Sequence, residues 1–234
     1  MRISNVAWES RVGTTFAETC RARGVETLTV FGDSITVGEG ASSPEQAWAR
    51  RLADMIGCRL DNKGISGTVL QSTPLADGRG GSGASRFRRD LLEGRRGDAL
   101  AILYGYNDAR YVADPARFNV TSFVEDYRRM LDALIAAMPR DAIAIGSPPC
   151  PSDKGLGHGG PGFIGQTRAG FEAYCHAVRE LAAEYGVFYA AVYEAMVANI
   201  GGALASPDIT HPNDQGHAAI AQAFATARMI ASPR

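Results

Sequence analysis

The chain has 234 residues, of which 45% are hydrophobic, and its formal net charge at pH 7 is -1. A chain of this length can bury a sizeable core without help from a metal or a disulfide, so we expect one domain. The nearly balanced charge gives no sign of a nucleic-acid or anionic-membrane partner and favours a small, weakly charged substrate.

The cysteines are too scattered to predict a metal or redox site. There are four of them, Cys20, Cys58, Cys150 and Cys175. None belongs to a CxxC pair or lies at a short spacing from a histidine, which argues against a zinc site. Four cysteines would permit two disulfides, but a domain of this size has little need of them. We therefore expect free thiols and no metal.

The N-terminal segment lacks the features of a targeting signal. Residues 1–16 contain no apolar run of signal-peptide length, because Glu9 and Arg11 interrupt it. No stretch of the sequence approaches the length of a membrane span. We expect a soluble, cytoplasmic protein without membrane insertion, and nothing in the composition predicts an oligomeric state.

Short apolar runs alternate with helical patterns along the whole chain. Strands are predicted at 27–32, 58–62, 98–105, 142–146 and 186–190. Helices are predicted from near 43 to 57, around 123–138, from about 166 to 185, and from 213 onwards. This alternation predicts a parallel sheet with helices on both faces, in which the third strand is buried on both sides.

The first of these helices has a recognisable N-terminus. Ser43 would cap it, Pro44 would occupy the first helical position, and Gln46 follows three residues after the cap. Trp48 and Met55 share one apolar face of the helix. Both are therefore predicted to lie in the core.

Polar motifs follow the strands at the points where the strands end. The first strand runs into GDS (32–34), the second into NKGISG (62–67), and the third into YGYND (104–108). A further polar motif, DITHPN (208–213), precedes the last helix. In a parallel sheet of this kind, ligands bind beyond the carboxyl ends of the strands. The sequence therefore predicts a site at that edge.

A serine, a histidine and an aspartate in these motifs have the chemistry of a catalytic triad. Ser34 supplies a nucleophilic hydroxyl, which needs a base. Of the four histidines, His211 is the best candidate, because Pro212 keeps it in a loop and Asp208 lies three residues before it. Taken singly, Asp208 and His211 are more often ordinary loop or cap residues. Together with Ser34 they form a triad in the order Ser, Asp, His.

These motifs make the sequence resemble the SGNH (GDSL-type) hydrolases, a family of esterases and lipases. The first family block, GDS, is matched by FGDSIT (31–36), with Ile35 where the family usually has leucine. The second block ends in a glycine that corresponds to Gly67, and the third, GxND, is matched at Asn107. The last block, DxxHP, is matched by DITHP (208–212).

The resemblance implies a fold and a set of site residues. The fold would be a three-layer α/β/α domain with a flavodoxin-like, five-stranded parallel sheet, covering 27–234 after an N-terminal extension of 1–26. The catalytic residues would be Ser34, Asp208 and His211. The oxyanion hole would be formed by Ser34, Gly67 and Asn107. Neither a cofactor nor a metal ion is implied.

We expect a serine esterase that acts on small-molecule esters. The segments between the blocks are short apart from 110–120 and 147–165, which favours an open site and short acyl groups such as acetyl. Tyr104, Tyr106 and Tyr111 could stack on a sugar, although tyrosines also simply pack. A lipase, a thioesterase or an acyltransferase would use the same triad. The alternatives from another class are a non-catalytic binding protein and a phosphate or nucleotide binder on this fold.

The remaining polar segments are predicted to have structural roles. Asp33 and Asp108 are expected to accept hydrogen bonds from backbone N–H groups. GLGHGG (155–160) matches a nucleotide-binding pattern but lacks its strand-to-helix context, so a mobile loop over the site is expected. The basic segment RFRRDLLEGRR (86–96) is expected to be the solvated face of a helix.

Overall fold

The sheet at the centre of the molecule has six strands in the order β2-β1-β3-β4-β5-β6. The computed structural model describes residues 13–72, 81–94, 96–159, 161–163 and 165–231. The strands are β1 (Thr27–Gly32), β2 (Arg59–Gly64), β3 (Ala99–Leu103), β4 (Ile143–Gly146), β5 (Phe188–Ala190) and β6 (Arg228–Met229). β1 to β5 are parallel, and β6 pairs antiparallel with β5.

The five parallel strands confirm the predicted sheet, and β6 is an addition to it. Every residue of β3 is buried, as its uninterrupted apolar run predicts for a strand covered on both faces. β2 is polar and partly exposed, because it lies at one edge of the sheet. β6 has only two residues, too few to show a periodic pattern in the sequence.

Nine α-helices are found in the described part of the chain. They are α1 (Phe16–Ala22), α2 (Ser34–Val37), α3 (Trp48–Ile56), α4 (Gly83–Phe87), α5 (Val120–Ala137), α6 (Asp153–Leu156), α7 (Arg168–Tyr185), α8 (Val192–Ala195) and α9 (Asp214–Ala225). α4 continues directly into a π-helical segment, Arg88–Glu93. None of these helices is long and apolar enough to cross a membrane. All four cysteines are free thiols.

The helices form two groups, one on each face of the sheet. α1, α3 and α9 pack against one another, while α4, α5 and α7 form the second group. In the first group the ring of Trp48 stacks on Phe224 with 4.8 Å between centroids. In the second, Phe123 meets the edge of Tyr174 at 5.1 Å. The three-layer α/β/α architecture predicted from the sequence is therefore present.

The segment that precedes β1 contributes to the core. α1 begins with a capping box formed by Thr15 and Glu18, and its Phe16 and Cys20 are fully buried. Phe16 meets the edge of the Phe188 ring on β5 at 5.4 Å. Residues 1–12 lie outside the described residues, so the boundary drawn between 26 and 27 stays a prediction.

The helix predicted to begin at Ser43 starts later than expected. Pro44–Gln46 is a separate 3-10 turn, and Ala47 is extended, with ψ at 141°, before α3 begins at Trp48. Ser43 makes no side-chain hydrogen bond to the helix. Instead, the Trp48 N–H donates to Nδ1 of His217, 3.2 Å away on α9. A contact between distant segments supplies the cap that the local sequence was expected to supply.

Met55 does not lie in the core, contrary to the prediction from its spacing. Its exposed fraction is 38%, whereas Trp48, Ala53 and their neighbours on the inner face of α3 are fully buried. A helix turns by about 100° per residue, so the buried arc from Trp48 to Ala53 is centred about 90° away from Met55. Met55 falls just outside the edge of that arc.

Candidate active site

The site lies at the carboxyl ends of β1, β2 and β3, which end level with one another. Gly32 of β1 pairs with Gly64 of β2 on one side and with Leu103 of β3 on the other. From β1 the chain first crosses to β2, which flanks β1 on one side, and then returns to β3, which flanks β1 on the other side. Such a reversal of strand order opens a crevice at the carboxyl edge. The predicted residues Ser34, Gly67 and Asn107 each follow one of these three strands.

Ser34, His211 and Asp208 form a continuous hydrogen-bonded chain. Ser34 Oγ lies 2.9 Å from His211 Nε2, and His211 Nδ1 lies 2.5 Å from Asp208 Oδ2. With a proton on Nδ1 donated to the carboxylate, Nε2 is left as the acceptor of the Ser34 hydroxyl proton. Ser34 is buried, with 7% of its surface exposed, at the first position of α2. The arrangement can therefore move a proton from the serine to the imidazole.

Asp208 is held as an ionised carboxylate by a set of donors. Its Oδ1 accepts from the Ser206 hydroxyl (2.6 Å), the Thr210 N–H (3.0 Å) and the His211 N–H (2.9 Å). Partial burial by itself would raise the pKa of Asp208, but the hydrogen bonds from His211, Ser206 and the two backbone groups outweigh it. The pKa of Asp208 is therefore well below its usual value.

The turn between Asp208 and His211 contains a strained backbone conformation. Ile209 has φ at 56°, and it is the one residue other than glycine with a positive φ in the described part of the chain. A β-branched residue is disfavoured there by on the order of 1–3 kcal/mol, so its surroundings must hold it. The Ile209 N–H donates to Ser206 O (2.9 Å), and the Tyr106 hydroxyl donates to Thr210 O (3.1 Å). In this conformation of the turn, Asp208 reaches the imidazole of His211.

The loop that contains Gly67 is tied to both neighbouring strand ends. The Ile65 N–H donates to Gly32 O at 3.0 Å, and Asn107 Nδ2 donates to Thr68 O at 2.9 Å. Gly67 has φ at 73°, in the left-handed region that favours glycine. The bond to Thr68 O orients the Asn107 amide and uses one of its two hydrogens, so the second hydrogen can donate to a bound oxyanion.

Asp33 and Asp108 accept backbone hydrogen bonds, as predicted. Asp33 Oδ1 accepts from the Ile35 N–H at 3.0 Å. The two oxygens of Asp108 accept from the N–H groups of Leu70 (3.0 Å) and Gln71 (2.9 Å). Burial raises the pKa of Asp33 to about 7 and that of Asp108 to about 6. Both carboxyls are buried and hold the backbone around the site.

Residues 30–219, from within β1 to within α9, match the model of the GDSL-like lipase/acylhydrolase family. The chain belongs to this family. It is therefore a hydrolase of the GDSL/SGNH esterase class, as the four motifs predicted. No curated protein matches the chain at a significant level.

Solved structures of several acylhydrolases and esterases share the fold. A lipase/acylhydrolase from Enterococcus faecalis superposes with a TM-score of 0.64 at 20% identity, covering 86% of this chain and 93% of that one. An acetylxylan esterase from Geobacillus stearothermophilus gives 0.62 at 21% identity, covering 85% and 92%. A carbohydrate acetylesterase family member from Sinorhizobium meliloti gives 0.59 at 19% identity, covering 85% and 95%. At these identities the similarity establishes the fold.

The basic segment 86–96 of this hydrolase is not simply a solvated helix face, as the sequence analysis expected. Arg89 is exposed, but Arg86 is only 2% exposed and lies with its guanidinium 4.0 Å from the centre of the Phe31 ring. Arg86 Nη1 donates to Asp90 Oδ2 at 2.8 Å, one turn further along. A run of arginines gives no local signal that distinguishes the one that turns inward.

Arg86 joins the three strand ends on which the site is built. Its Nη2 donates to Gly32 O (2.9 Å), two residues before Ser34, and to the Tyr104 hydroxyl (2.7 Å). The Tyr104 hydroxyl is also 3.2 Å from Thr68 Oγ1, in the loop after β2. One buried guanidinium therefore connects the segments that follow β1, β2 and β3.

Like Arg86, Glu39 lies at the site although no sequence motif predicts it there. Its Oε2 lies 3.2 Å from His211 Nε2, and its Oε1 accepts a hydrogen bond from the Ser66 hydroxyl. The Glu39 N–H donates to Ser34 O at 3.1 Å, and its carbonyl lies 3.0 Å from Nε2 of the buried His217. The one sequence signal was a carboxylate between two glycines, five residues after the serine.

The tyrosines after β3 pack inside the protein instead of lining an open surface. Tyr104 and Tyr106 are 1% and 3% exposed, so of the two alternatives left open for them the structure favours packing over stacking on a sugar. Tyr111 is partly exposed and lies between the rings of Phe118 (4.7 Å) and Phe163 (4.8 Å). Of the three, Tyr111 alone remains accessible to a ligand.

The glycine-rich segment after β4 begins in a short helix. α6 is capped by the Ser152 hydroxyl, which accepts from the Gly155 N–H at 3.0 Å. Arg110 donates to His158 O at 2.6 Å and so ties this segment to the loop after β3. The segment does not join a strand to a helix, which is the context that nucleotide binding would need. Its movement over the site stays a prediction.

Proposed function

We propose that this protein hydrolyses carboxylic esters through a covalent acyl-enzyme formed on Ser34. The observation that carries the proposal is the chain of contacts from Ser34 Oγ to His211 Nε2 (2.9 Å) and from His211 Nδ1 to Asp208 Oδ2 (2.5 Å). A serine hydroxyl beside a base that is oriented by a carboxylate is the arrangement needed to activate a nucleophile.

In the first half of the reaction, Ser34 Oγ attacks the ester carbonyl carbon and its proton passes to His211 Nε2. The resulting oxyanion would accept hydrogen bonds from the Ser34 and Gly67 N–H groups and from Asn107 Nδ2. Asp208 holds the Nδ1–H tautomer and stabilises the imidazolium. When the bond to the leaving oxygen breaks, that oxygen takes the proton from Nε2 and departs as an alcohol.

In the second half, water replaces the alcohol. His211 Nε2 accepts a proton from the water as its oxygen attacks the acyl carbon of the ester on Ser34. The same donors hold the second oxyanion. The bond to Ser34 Oγ then breaks, Oγ recovers the proton from Nε2, and the acid is released.

We also propose acetyl esters of carbohydrates as the substrate class. Two of the structures that share the fold are described as an acetylxylan esterase and a carbohydrate acetylesterase family member. A serine variant and a histidine variant of that acetylxylan esterase are described as catalytic mutants, which fits the roles proposed for Ser34 and His211.

The test is hydrolysis of p-nitrophenyl esters from acetyl to octanoyl by the wild type and by Ser34→Ala. We expect kcat/KM to fall as the acyl chain lengthens and turnover to vanish in the variant. Mass spectrometry of the wild type quenched during turnover should find the acyl group on Ser34. Ser42→Ala is the matched control, because Ser42 donates to Asp214 and not to a histidine. Full activity of Ser34→Ala would contradict the proposal.

A further inference from the structure

Glu39 lies beside Nε2 of His211, the ring nitrogen that also contacts Ser34 Oγ. Its Oε2 is 3.2 Å from Nε2, the nitrogen that delivers a proton to the leaving oxygen in the proposed reaction. The Glu39 side chain is 42% exposed, whereas that of His211 is 15% exposed. A group that departs from Nε2 towards solvent therefore passes close to this carboxylate.

The position of Glu39 is fixed by its neighbours. Its backbone is bonded to Ser34 O through the N–H and to His217 through the carbonyl. Gly40 follows with φ at +90°, and a Cβ there would lie 2.3 Å from Pro212 O and 2.8 Å from His211 Cβ. The turn is thus pressed against the His211–Pro212 segment at a distance that only glycine permits.

The two carboxylates that approach His211 are placed for different tasks. Asp208 reaches Nδ1 from within the loop and is held by three donors on its other oxygen. Glu39 reaches Nε2, with a single hydroxyl donor from Ser66 on its other oxygen. The proposed reaction has no role for a second carboxylate at Nε2. The negative charge of Glu39 nevertheless acts on the alcohol group of the ester, which is attached to the leaving oxygen.

We propose that Glu39 is a specificity-determining residue that selects the leaving group by charge. It favours alcohols that carry a positive charge or several hydroxyl donors, and it disfavours anionic ones. The inference rests on the proposed ester hydrolysis at Ser34. It deepens that function, because a polyhydroxylated alcohol such as a sugar can donate hydrogen bonds to the carboxylate.

The expected size of the effect is set by Coulomb's law at a wet surface. A unit charge on the leaving group about 4 Å from the carboxylate changes kcat/KM by about fivefold in water, with the sign set by the charge. Salt weakens the effect, because both charges are exposed to solvent. If Glu39 had a purely structural role, its replacement would change kcat/KM by the same factor for all substrates. The ratio of kcat/KM between substrates therefore separates the two explanations.

The experiment compares three acetate esters that differ in the charge of the alcohol. Acetylcholine is cationic, 3,3-dimethylbutyl acetate is its neutral isostere, and 2-sulfoethyl acetate is anionic. We expect the wild type to prefer the cationic over the neutral ester by about fivefold in kcat/KM, and to disfavour the anionic ester by a similar factor. In Glu39→Gln both ratios should approach one, and in Glu39→Lys the preference should invert.

Glu45→Gln is the matched control for the loss of one negative charge. Glu45 is also an exposed carboxylate that accepts from a serine hydroxyl, Ser43, at 2.7 Å. We expect this variant to keep the wild-type ratios. Wild-type ratios in Glu39→Gln, or an equal loss in Glu45→Gln, would overturn the inference and leave the esterase proposal standing. A wild type that hydrolyses neither these three esters nor p-nitrophenyl acetate, or an active Ser34→Ala, would contradict the proposed function itself.

Discussion

At the residue scale, the site depends on groups whose orientation is set by a second hydrogen bond. Asn107 is the clearest case, since its amide donates to Thr68 O and can present its other hydrogen to a substrate. His211 is oriented in the same way by Asp208 at its far nitrogen. A reacting group that is already oriented needs no reorganisation when charge develops on the substrate.

Replacing Asn107 with alanine should lower kcat by about 10²–10³ with little change in KM, because one oxyanion donor is lost. Steady-state kinetics with p-nitrophenyl acetate would measure this. Asn107→Asp, which keeps the shape but removes the amide donor, should show a loss of similar size. The lost bond to Thr68 O should lower the free energy of unfolding by only about 1 kcal/mol. A variant with near-normal kcat would remove Asn107 from the oxyanion hole.

At the scale of elements, the strand ends are held in register by a side chain from a helix. Arg86 lies on α4 and contacts Gly32 at the end of β1 and Tyr104 just after β3. Tyr104 in turn lies 3.2 Å from Thr68 Oγ1 after β2. A buried guanidinium can serve several acceptors at once because its donors form a rigid fork.

Arg86→Met should destabilise the protein far more than Arg89→Met. Both arginines pair with Asp90, but the Arg86 side chain is 1% exposed and the Arg89 side chain is 63% exposed. Removing the buried cation takes one donor each from Asp90, Gly32 O and the Tyr104 hydroxyl. This loss should lower the free energy of unfolding by about 3 kcal/mol. The exposed pair should contribute less than about 1 kcal/mol. Urea denaturation would measure both, and equal losses would contradict the role given to Arg86.

At the scale of the whole molecule, two buried ionisable groups beside the site give stability opposite dependences on pH. Burial raises the pKa of Asp33 to about 7 from the usual 3.8. Between those values the native state binds more protons than the unfolded chain, so stability falls as the pH rises from about 4 to about 7. Burial also lowers the pKa of His217 from 6.5, so its contribution to stability is lost as the pH falls below 6.5.

Asp33→Asn should remove the part of this pH dependence that belongs to Asp33. The asparagine carbonyl can still accept from the Ile35 N–H, but it carries no charge. Relative to the wild type, the free energy of unfolding of the variant should increase by on the order of 2 kcal/mol between pH 5 and pH 8. Urea titrations at several pH values would measure the difference. The exposed Asp54→Asn should follow the wild type throughout, and a constant difference for Asp33→Asn would contradict the expectation.

The features that could be predicted from the sequence are those set over a few neighbouring residues. The apolar runs of β1 and β3 predict strands because buried strands need apolar side chains on both faces. The motif DITHP predicts a carboxylate beside an imidazole because His211 follows Asp208 by only three positions. The three segments that follow β1, β2 and β3 could be placed together because parallel strands share one carboxyl edge.

The remaining features depend on contacts between residues that are far apart in the chain. His217, on α9, caps α3 at Trp48, so the start of α3 could not be inferred from Ser43. Arg86 is buried because the acceptors that satisfy its charge come from β1 and from the segment after β3. Glu39 precedes α3 and His211 precedes α9, and the two residues lie together where α9 packs against α3. Periodicity and spacing describe which residues are neighbours along the chain, whereas a buried charge is stable only when distant segments supply its partners.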